Sequence, residues 1–258
     1  MKKILLLMIF ISLSVVYTIT GNKKFSSGEA SLIFVESELI FKNYNRDTYE
    51  KTEKRYKYSM QSESGIEYIL FNNKKYMVLR CDDLFFLYDS NNERVFRGTK
   101  FGILHDECID TFMDMEESSF LINDGIQYTV KNINGYELGK PWIEGEKGYG
   151  IKEWLSFYAL PKERIYISIG FVDYKNPNLY KEYSRPKRLK LYIDDEFIEN
   201  IELEDTPNFQ KIIIPEGKKG VARLEIWDIY EGTKYPMNAC INMIVYDKAF
   251  GVSKASDE

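Results

Sequence analysis

The sequence predicts an all-β chain, a small β-rich segment followed by an antiparallel sandwich or jelly roll. Three observations carry this. Aromatic residues make up 15% of the 258 positions, with 20 Tyr and 16 Phe, a composition suited to pleated, half-buried surfaces. Leu189, Leu191 and Ile193 alternate with Arg188, Lys190 and Tyr192, the period of a strand with one face to a core and one to water. Seven strand-like runs crowd residues 153–246 with few helix signals between them, which is the spacing of a sandwich.

Composition narrows the function classes. Hydrophobic residues are 44% and charged residues 29%, a globular balance. The net charge is −5 and the isoelectric point near 5.3, whereas a nucleic-acid binder carries a basic excess. His105 is the single histidine. That removes His-rich metal sites and makes any Ser/His/Asp or Cys/His machinery depend on one residue. No cofactor is expected and no catalytic residue is assigned.

Residues 1–21 read as a secretory signal. Lys2 and Lys3 form the positive start, residues 4–11 are an unbroken apolar run, and Thr18, Thr20 and Gly21 follow. The apolar stretch is too short for a membrane span, and no later stretch reaches the required length of about 20 residues. The expected cut after Gly21 removes two lysines, leaves a mature charge of −7, and directs the product to the periplasm or the exterior. In such a compartment Cys81, Cys108 and Cys240 could leave one disulfide and one thiol, with Cys81–Cys108 the candidate pair. Cys240, beside Ile241, fits a small core residue.

Residues 22–115 read as the small β domain. Candidate strands are 30–35 and 56–60. Residues 66–71 and 75–80 form a hairpin about Asn72-Asn73, and residues 84–88 and 94–96 form another about Ser90-Asn91-Asn92. Asp89, Asn91 and Glu93 brush against a calcium loop. Arg94 stands where its glycine belongs and Lys100 where its bidentate acid belongs, so a hairpin turn is the reading. From 104 to 117, Leu104, Cys108, Ile109, Phe112 and Met113 recur near helical spacing, a short helix or an irregular connector.

Residues 116–249 read as the sandwich and 250–258 as a polar tail. Three loops in it carry candidate ligand chemistry. Residues 141–154 hold Trp142, Glu144 and Tyr149 among three glycines within six positions. A phosphate cradle would need a helix to follow, and a strand pattern follows instead. Residues 170–188 form a long loop rich in Asn and Pro that ends in a basic cluster including Arg185, Lys187, Arg188 and Lys190. On a strand, alternate members of that cluster point oppositely, which fits a solvated face. Residues 228–236 form a turn with Lys234 and Tyr235. Aromatic faces with polar groups beside them suit sugars. Glycoside hydrolysis needs two close carboxylates, and no pair stands out.

Taken in order, these stretches resemble the discoidin-like domain of bacterial NAD glycohydrolase toxins, their translocation domain, also described as an NADase-type glycan-binding domain. The residues that carry the resemblance are Ser118-Ser119-Phe120-Leu121, Trp142-Ile143-Glu144-Gly145 with Gly148-Tyr149-Gly150-Ile151 and Trp154, Gly170-Phe171, Leu179-Tyr180, Arg185-Pro186-Lys187, Gln210, Tyr230-Glu231-Gly232-Thr233-Lys234-Tyr235 and Cys240-Ile241. The chain departs from the pattern at Ile169, Tyr183, Met237-Asn238-Ala239 and Met243. The resemblance implies a discoidin-like, galactose-binding-like jelly roll and a non-catalytic role. The implied partner is a glycan or another cell-surface ligand, held by Trp142, Glu144, Tyr149, Arg185, Lys234 and Tyr235. The aromatics would stack, Glu144 would accept from hydroxyls, and Arg185 or Lys234 would donate. An envelope scaffold that contacts a protein partner is the competing reading.

Overall fold

The computed structural model describes residues 19, 22–27, 30–45, 48–100, 109–134 and 136–247. His105, Cys108, the tail from 250 and all of the expected signal except Ile19 lie outside these residues.

Nine strands form the first sheet: β1 (Lys23–Ser27), β2 (Ala30–Val35), β3 (Glu38–Tyr44), β4 (Lys51–Lys57), β5 (Ser59–Glu63), β6 (Ile66–Phe71), β7 (Lys74–Arg80), β8 (Leu84–Tyr88) and β9 (Arg94–Thr99). They pair antiparallel in the order β4-β3-β2-β1-β9-β8-β7-β6-β5. Asn72 and Asn73 both take positive φ, 51° and 58°, the geometry of the tight hairpin turn that Asn tolerates. The expected strand over 56–60 is instead the junction of β4 and β5, with Tyr58 between them. Its hydroxyl donates to the Glu36 carbonyl at 3.1 Å, so the chain bends where an aromatic run suggested continuation.

The second half holds β10 (Ile109–Asp110), β11 (Glu116–Glu117), β12 (Leu121–Asn123), β13 (Ile126–Tyr128), a 3-10 turn (Val130–Asn134), β14 (Trp142–Ile143), β15 (Trp154–Ala159), β16 (Arg164–Ile169), α1 (Leu179–Glu182), β17 (Tyr183–Ile193), β18 (Glu196–Glu202), β19 (Gln210–Ile213), β20 (Gly220–Tyr230) and β21 (Tyr235–Asp247). One face of the sandwich is β11-β15-β20-β17 with β18 on β17, and the other is β21-β16-β19 with β10 and β14 on β21. The first residues of β17 run parallel to β21, Tyr183 against Tyr235 and Ser184 against Ala239, and join the two faces. No helix forms over 109–117. Phe112 there turns into the core and stacks on Phe157 with ring centroids 4.1 Å apart, while Met113 beside it is exposed, so the described part is an irregular connector with one buried anchor.

The expected alternation holds in β17. Leu189, Leu191 and Ile193 lie opposite Ile226, Leu224 and Ala222 of β20, and all six are buried between the two faces. Strand β16 is apolar without alternation because both its faces are covered. Ile165, Ile167 and Ile169 enter the sandwich core, while Tyr166 points the other way, to a second core shared with Phe86 and Tyr88 of the first sheet. Strand β8 mirrors it, sending Phe85 and Leu87 to a third core on the far side of its own sheet. The β21-β16-β19 face therefore lies between two cores, and the first sheet curves around the third with side chains from its own strands. Ile19 is buried in that third core, and the expected cut after Gly21 would take it away.

Buried polar groups stitch the first sheet to the sandwich. Asp83, 2% exposed, accepts from the Tyr166 hydroxyl at 3.2 Å and from Lys211 Nζ at 3.0 Å, and also pairs with Lys100. The Phe209 amide donates to the Arg80 carbonyl at 3.1 Å, and the Arg80 amide to Asn208 Oδ1 at 3.1 Å.

Candidate functional site

The three sequence-derived loops meet at the end of the sandwich where β17 and β21 run parallel. Ser184 holds two of them together. Its buried hydroxyl donates to the Pro236 carbonyl at 2.6 Å and accepts from the Gly232 amide at 2.9 Å. Ser119 holds the third. Its hydroxyl accepts from the Gly145 amide at 2.9 Å and donates to Glu153 Oε2 at 2.5 Å. Gly150, at φ +71°, lies against Ala239 and Glu144. A Cβ there would sit 2.8 Å from Ala239 Cβ and 2.9 Å from Glu144 Cγ, so the loop closes only without a side chain.

Each of the six expected ligand residues has a definite place. Trp142 is wholly buried in the sandwich core, with its indole N–H donating to the Ser119 carbonyl at 2.9 Å. It has no free face to stack on a ligand, because a large aromatic in a short paired strand is drawn into the core. Glu144 is also wholly buried. Its Oε1 accepts from the Ala239 amide at 3.2 Å and its Oε2 from the Glu146 amide at 3.0 Å, so its acceptors serve the loop rather than an incoming hydroxyl. Burial, only partly offset by those two amides, raises its pKa to about 7. Arg185 is 4% exposed. It grips Asp205 with two hydrogen bonds, Nε to Oδ1 at 2.6 Å and Nη2 to Oδ2 at 2.8 Å, and donates from Nη1 to the Tyr183 carbonyl at 3.1 Å. Burial alone would raise the Asp205 carboxyl, but the bonds from Arg185 and Lys181 outweigh it and hold that group well below the usual carboxylate range. A guanidinium committed in this way closes the structure and is no ligand donor.

The other three reach the surface. Tyr149 is exposed, at φ +65°. Lys234 is exposed, 5.1 Å from the Tyr235 ring centroid and 3.8 Å from Glu182. Tyr235 is half-buried and stacks on Tyr183, centroids 4.3 Å apart at 30°. Behind Tyr183 the row continues through Phe171 at 5.0 Å to Tyr128 at 6.0 Å. The sequence reading did not single out Tyr128, Phe171 and Tyr183 as site residues. Phe171 stands in the family pattern and Tyr183 at a departure from it, and the signal common to all three is an aromatic placed where a loop enters or leaves a strand.

The remaining basic cluster is used up on the sheet face. Lys187 pairs with Asp228 at 2.9 Å, Arg188 pairs with Glu202, and Lys190 lies over the Trp227 ring. Among the described residues no group of three or more His, Cys, Asp or Glu side chains is placed to hold a metal ion, and no helix is long and apolar enough to cross a membrane. The Asp89-Asn91-Glu93 stretch is a turn, with Asp89 Oδ1 accepting from the Asn91 and Glu93 amides at 2.8 and 3.2 Å.

Residues 107–247 match the family model described as the NAD glycohydrolase translocation F5/8 type C domain. The match begins ahead of residue 116, where the sequence reading opened its sandwich. No curated protein matches the chain. Among solved structures, the mycobacterial arabinofuranosyltransferase AftD aligns at TM-score 0.42 and 8% identity, over 55% of this chain and 11% of that one. A CBM51-2 and INT fragment of Clostridium perfringens ZmpB, in complex with GlcNAc, aligns at 0.26 and 8%, over 86% and 38%. The secreted serine protease VesC of Vibrio cholerae aligns at 0.28 and 14%, over 90% and 46%. The chain thus spans less than half the length of each of these, and likenesses this slight bear on neither substrate nor partner.

Proposed function

The chain belongs to the NAD glycohydrolase translocation F5/8 type C domain family, a discoidin-like β-sandwich, and from that premise we propose that it is an exported, non-catalytic binding protein whose sandwich pole recognises a glycan of a cell surface. The observation that supports this most is the aromatic row Tyr128–Phe171–Tyr183–Tyr235, capped by Lys234, with exposed Tyr149 on the glycine-rich loop whose Gly150 lies against Ala239. Its outer members keep part of their rings in water although apolar neighbours surround them. A sugar presents C–H faces to stack on such rings and hydroxyls to pair with the groups beside them. Tyr235 supplies the stacking face, Lys234 a donor, and Tyr149 a hydroxyl from the glycine-rich loop. Glu144, Trp142 and Arg185 support this surface from behind.

An array of arrayed glycans probed with the purified chain tests the reading. Binding that Tyr235→Ala weakens by at least ~10-fold, the scale of a lost ring contact with its polar neighbour, supports the pole. Silence across the array sinks the glycan reading and favours a scaffold that contacts a protein through the same loops.

A further inference from the structure

A hollow of about 550 Å³ opens between the first sheet and the sandwich. One wall is the β8–β9 turn and the other is the segment after the 3-10 turn, together with Asp173. The walls are fixed to each other before any ligand arrives, since the Tyr174 amide donates to Asn92 Oδ1 at 2.7 Å. Asp173 is fixed in turn by its Oδ1, which accepts from the Lys175 and Asn176 amides at 2.6 and 3.0 Å.

Each of these side chains spends one polar atom on the fold and leaves the other. Among the described residues Asn92 Nδ2 and Asp173 Oδ2 have no hydrogen-bond partner, and neither has the side chain of Asn91. The two atoms flank Gly139. From the place its Cβ would occupy, Asp173 Oδ2 is 2.8 Å away and Asn92 Nδ2 3.4 Å. Gly139 takes φ +80°, so the conformation and the missing side chain together keep the gap open. A donor and an acceptor are thus held side by side at the floor of a polar hollow.

The charge of the lining selects the ligand. Asp173, Glu93 and Glu137 face Arg94 and Lys140, a balance of one negative charge. Lys140 is paired with Glu137 at 2.9 Å, and Arg94 lies over the Tyr136 ring at 4.5 Å. An anion would meet net repulsion there. Adjacent hydroxyls, each able to donate and to accept, match the fixed pair without bringing a further charge into it.

We propose that this seam hollow is a second binding site, for vicinal hydroxyls of a neutral saccharide, with Asp173 Oδ2 accepting from one hydroxyl and Asn92 Nδ2 donating to its neighbour. It gives the N-terminal sheet a part in recognition, and it stands whether or not the pole binds sugar.

Two substitutions test it on the full chain. Asp173→Asn and Asn92→Asp each keep the oxygen that fixes the turn and reverse the polarity of the free atom. The probe is an array of neutral, sialylated and sulfated oligosaccharides. The expected result is binding of at least one neutral saccharide, weakened at least ~10-fold by each substitution, as for a lost hydrogen bond that leaves a mismatched pair in its place. Three results overturn the proposal: no neutral saccharide binds, sulfated or sialylated ones are preferred, or both variants bind within about twofold of the unaltered chain. Should either variant fail to fold, the unaltered chain is titrated with a bound neutral saccharide and its Asn91 and Asn92 side-chain amide resonances are followed. The proposal expects them to shift, and amides that stay in place contradict it.

Discussion

The seam between the sheets and the pole of the sandwich are made of the same residue types, put to opposite uses. In the seam, buried Asp83 and Tyr166 satisfy one another, with Lys211 reaching in from the surface to the same carboxylate. At the pole, Lys234, Tyr235 and Tyr149 stand partly or largely in solvent, with only light ties to their neighbours. A buried carboxylate held by three partners of the fold serves stability. A half-buried ring beside an exposed ammonium has capacity left, and that remainder is what a ligand can use. Residue identity alone cannot separate the two cases, and Arg185 shows why. Read as a donor at the pole, it belongs in behaviour to the seam, gripping Asp205 under the loops.

The largest expected effect breaks the seam. Asp83→Ala strips Lys211, Lys100 and Tyr166 of their shared partner and should lower stability by about 3–4 kcal/mol, from a Tyr166 hydroxyl left unpaired in the interior and two charge-assisted bonds from half-exposed lysines. Because the second core spans both halves, chemical denaturation followed by circular dichroism should still give a single transition, shifted to lower denaturant. A first sheet that melts separately would show that the halves are independent. Burial favours the neutral Asp83 acid, but Lys100 and Lys211 outweigh it and lower its pKa. Its contribution is therefore present above the unfolded carboxylate pKa and lost as pH falls through the lower folded value.

A somewhat smaller loss is expected under the pole. Arg185→Ala should cost about 2–4 kcal/mol by leaving Asp205 half-buried without its fork. Arg185→Lys should recover only part of this, since an ammonium cannot reproduce the two parallel bonds. Ligand affinity measured on whichever variant stays folded should change far less than in Tyr235→Ala. Equal losses would return Arg185 to the ligand surface.

Glu144 sharpens the comparison through pH. Its folded pKa, about 7, lies above the unfolded one, so the folded state holds its proton more tightly. The stabilisation that follows is full below the unfolded pKa and is lost as pH rises through about 7. Its size should be on the order of 2–3 kcal/mol. Thermal melts between pH 5 and pH 8 should show this slope, and Glu144→Gln should flatten it. A slope unchanged in the variant would mean that the Glu144 carboxyl is solvated after all.

The smallest effect on stability belongs to the pole itself. Tyr235→Ala removes one stacked partner of Tyr183 and should cost only about 0.5–1.5 kcal/mol, while its effect on binding should be among the largest. A stability loss as great as that of Arg185→Ala would mark Tyr235 as structural.

Much of the sandwich was legible in the sequence, because period-two alternation in β17 is a direct imprint of one buried face. The Asn72-Asn73 turn was legible for a local reason, since both residues take positive φ in the structure and Asn tolerates it. Strands β1, β3 and β4 were not. β4 reads Lys-Thr-Glu-Lys-Arg-Tyr-Lys and is exposed along nearly its whole length, so it has no apolar period to detect, and charge suits a sheet edge. The site was legible as a place and not as a set of roles. Glycine-rich and aromatic loops marked the pole, but the burial of Trp142, Glu144 and Arg185 depends on partners at Ser119, Ala239 and Asp205, distant in sequence and visible only once the sheets are stacked.

Hydroxyl-radical footprinting of the unaltered chain, with and without a glycan that it binds on the array, tests the central claim most directly. The account predicts slower oxidation of Tyr235, Tyr149 and the exposed Met237 when the glycan is present, with Tyr56 on β4 unchanged. Oxidation of Tyr235 and Tyr149 at the same rate in both samples would contradict it.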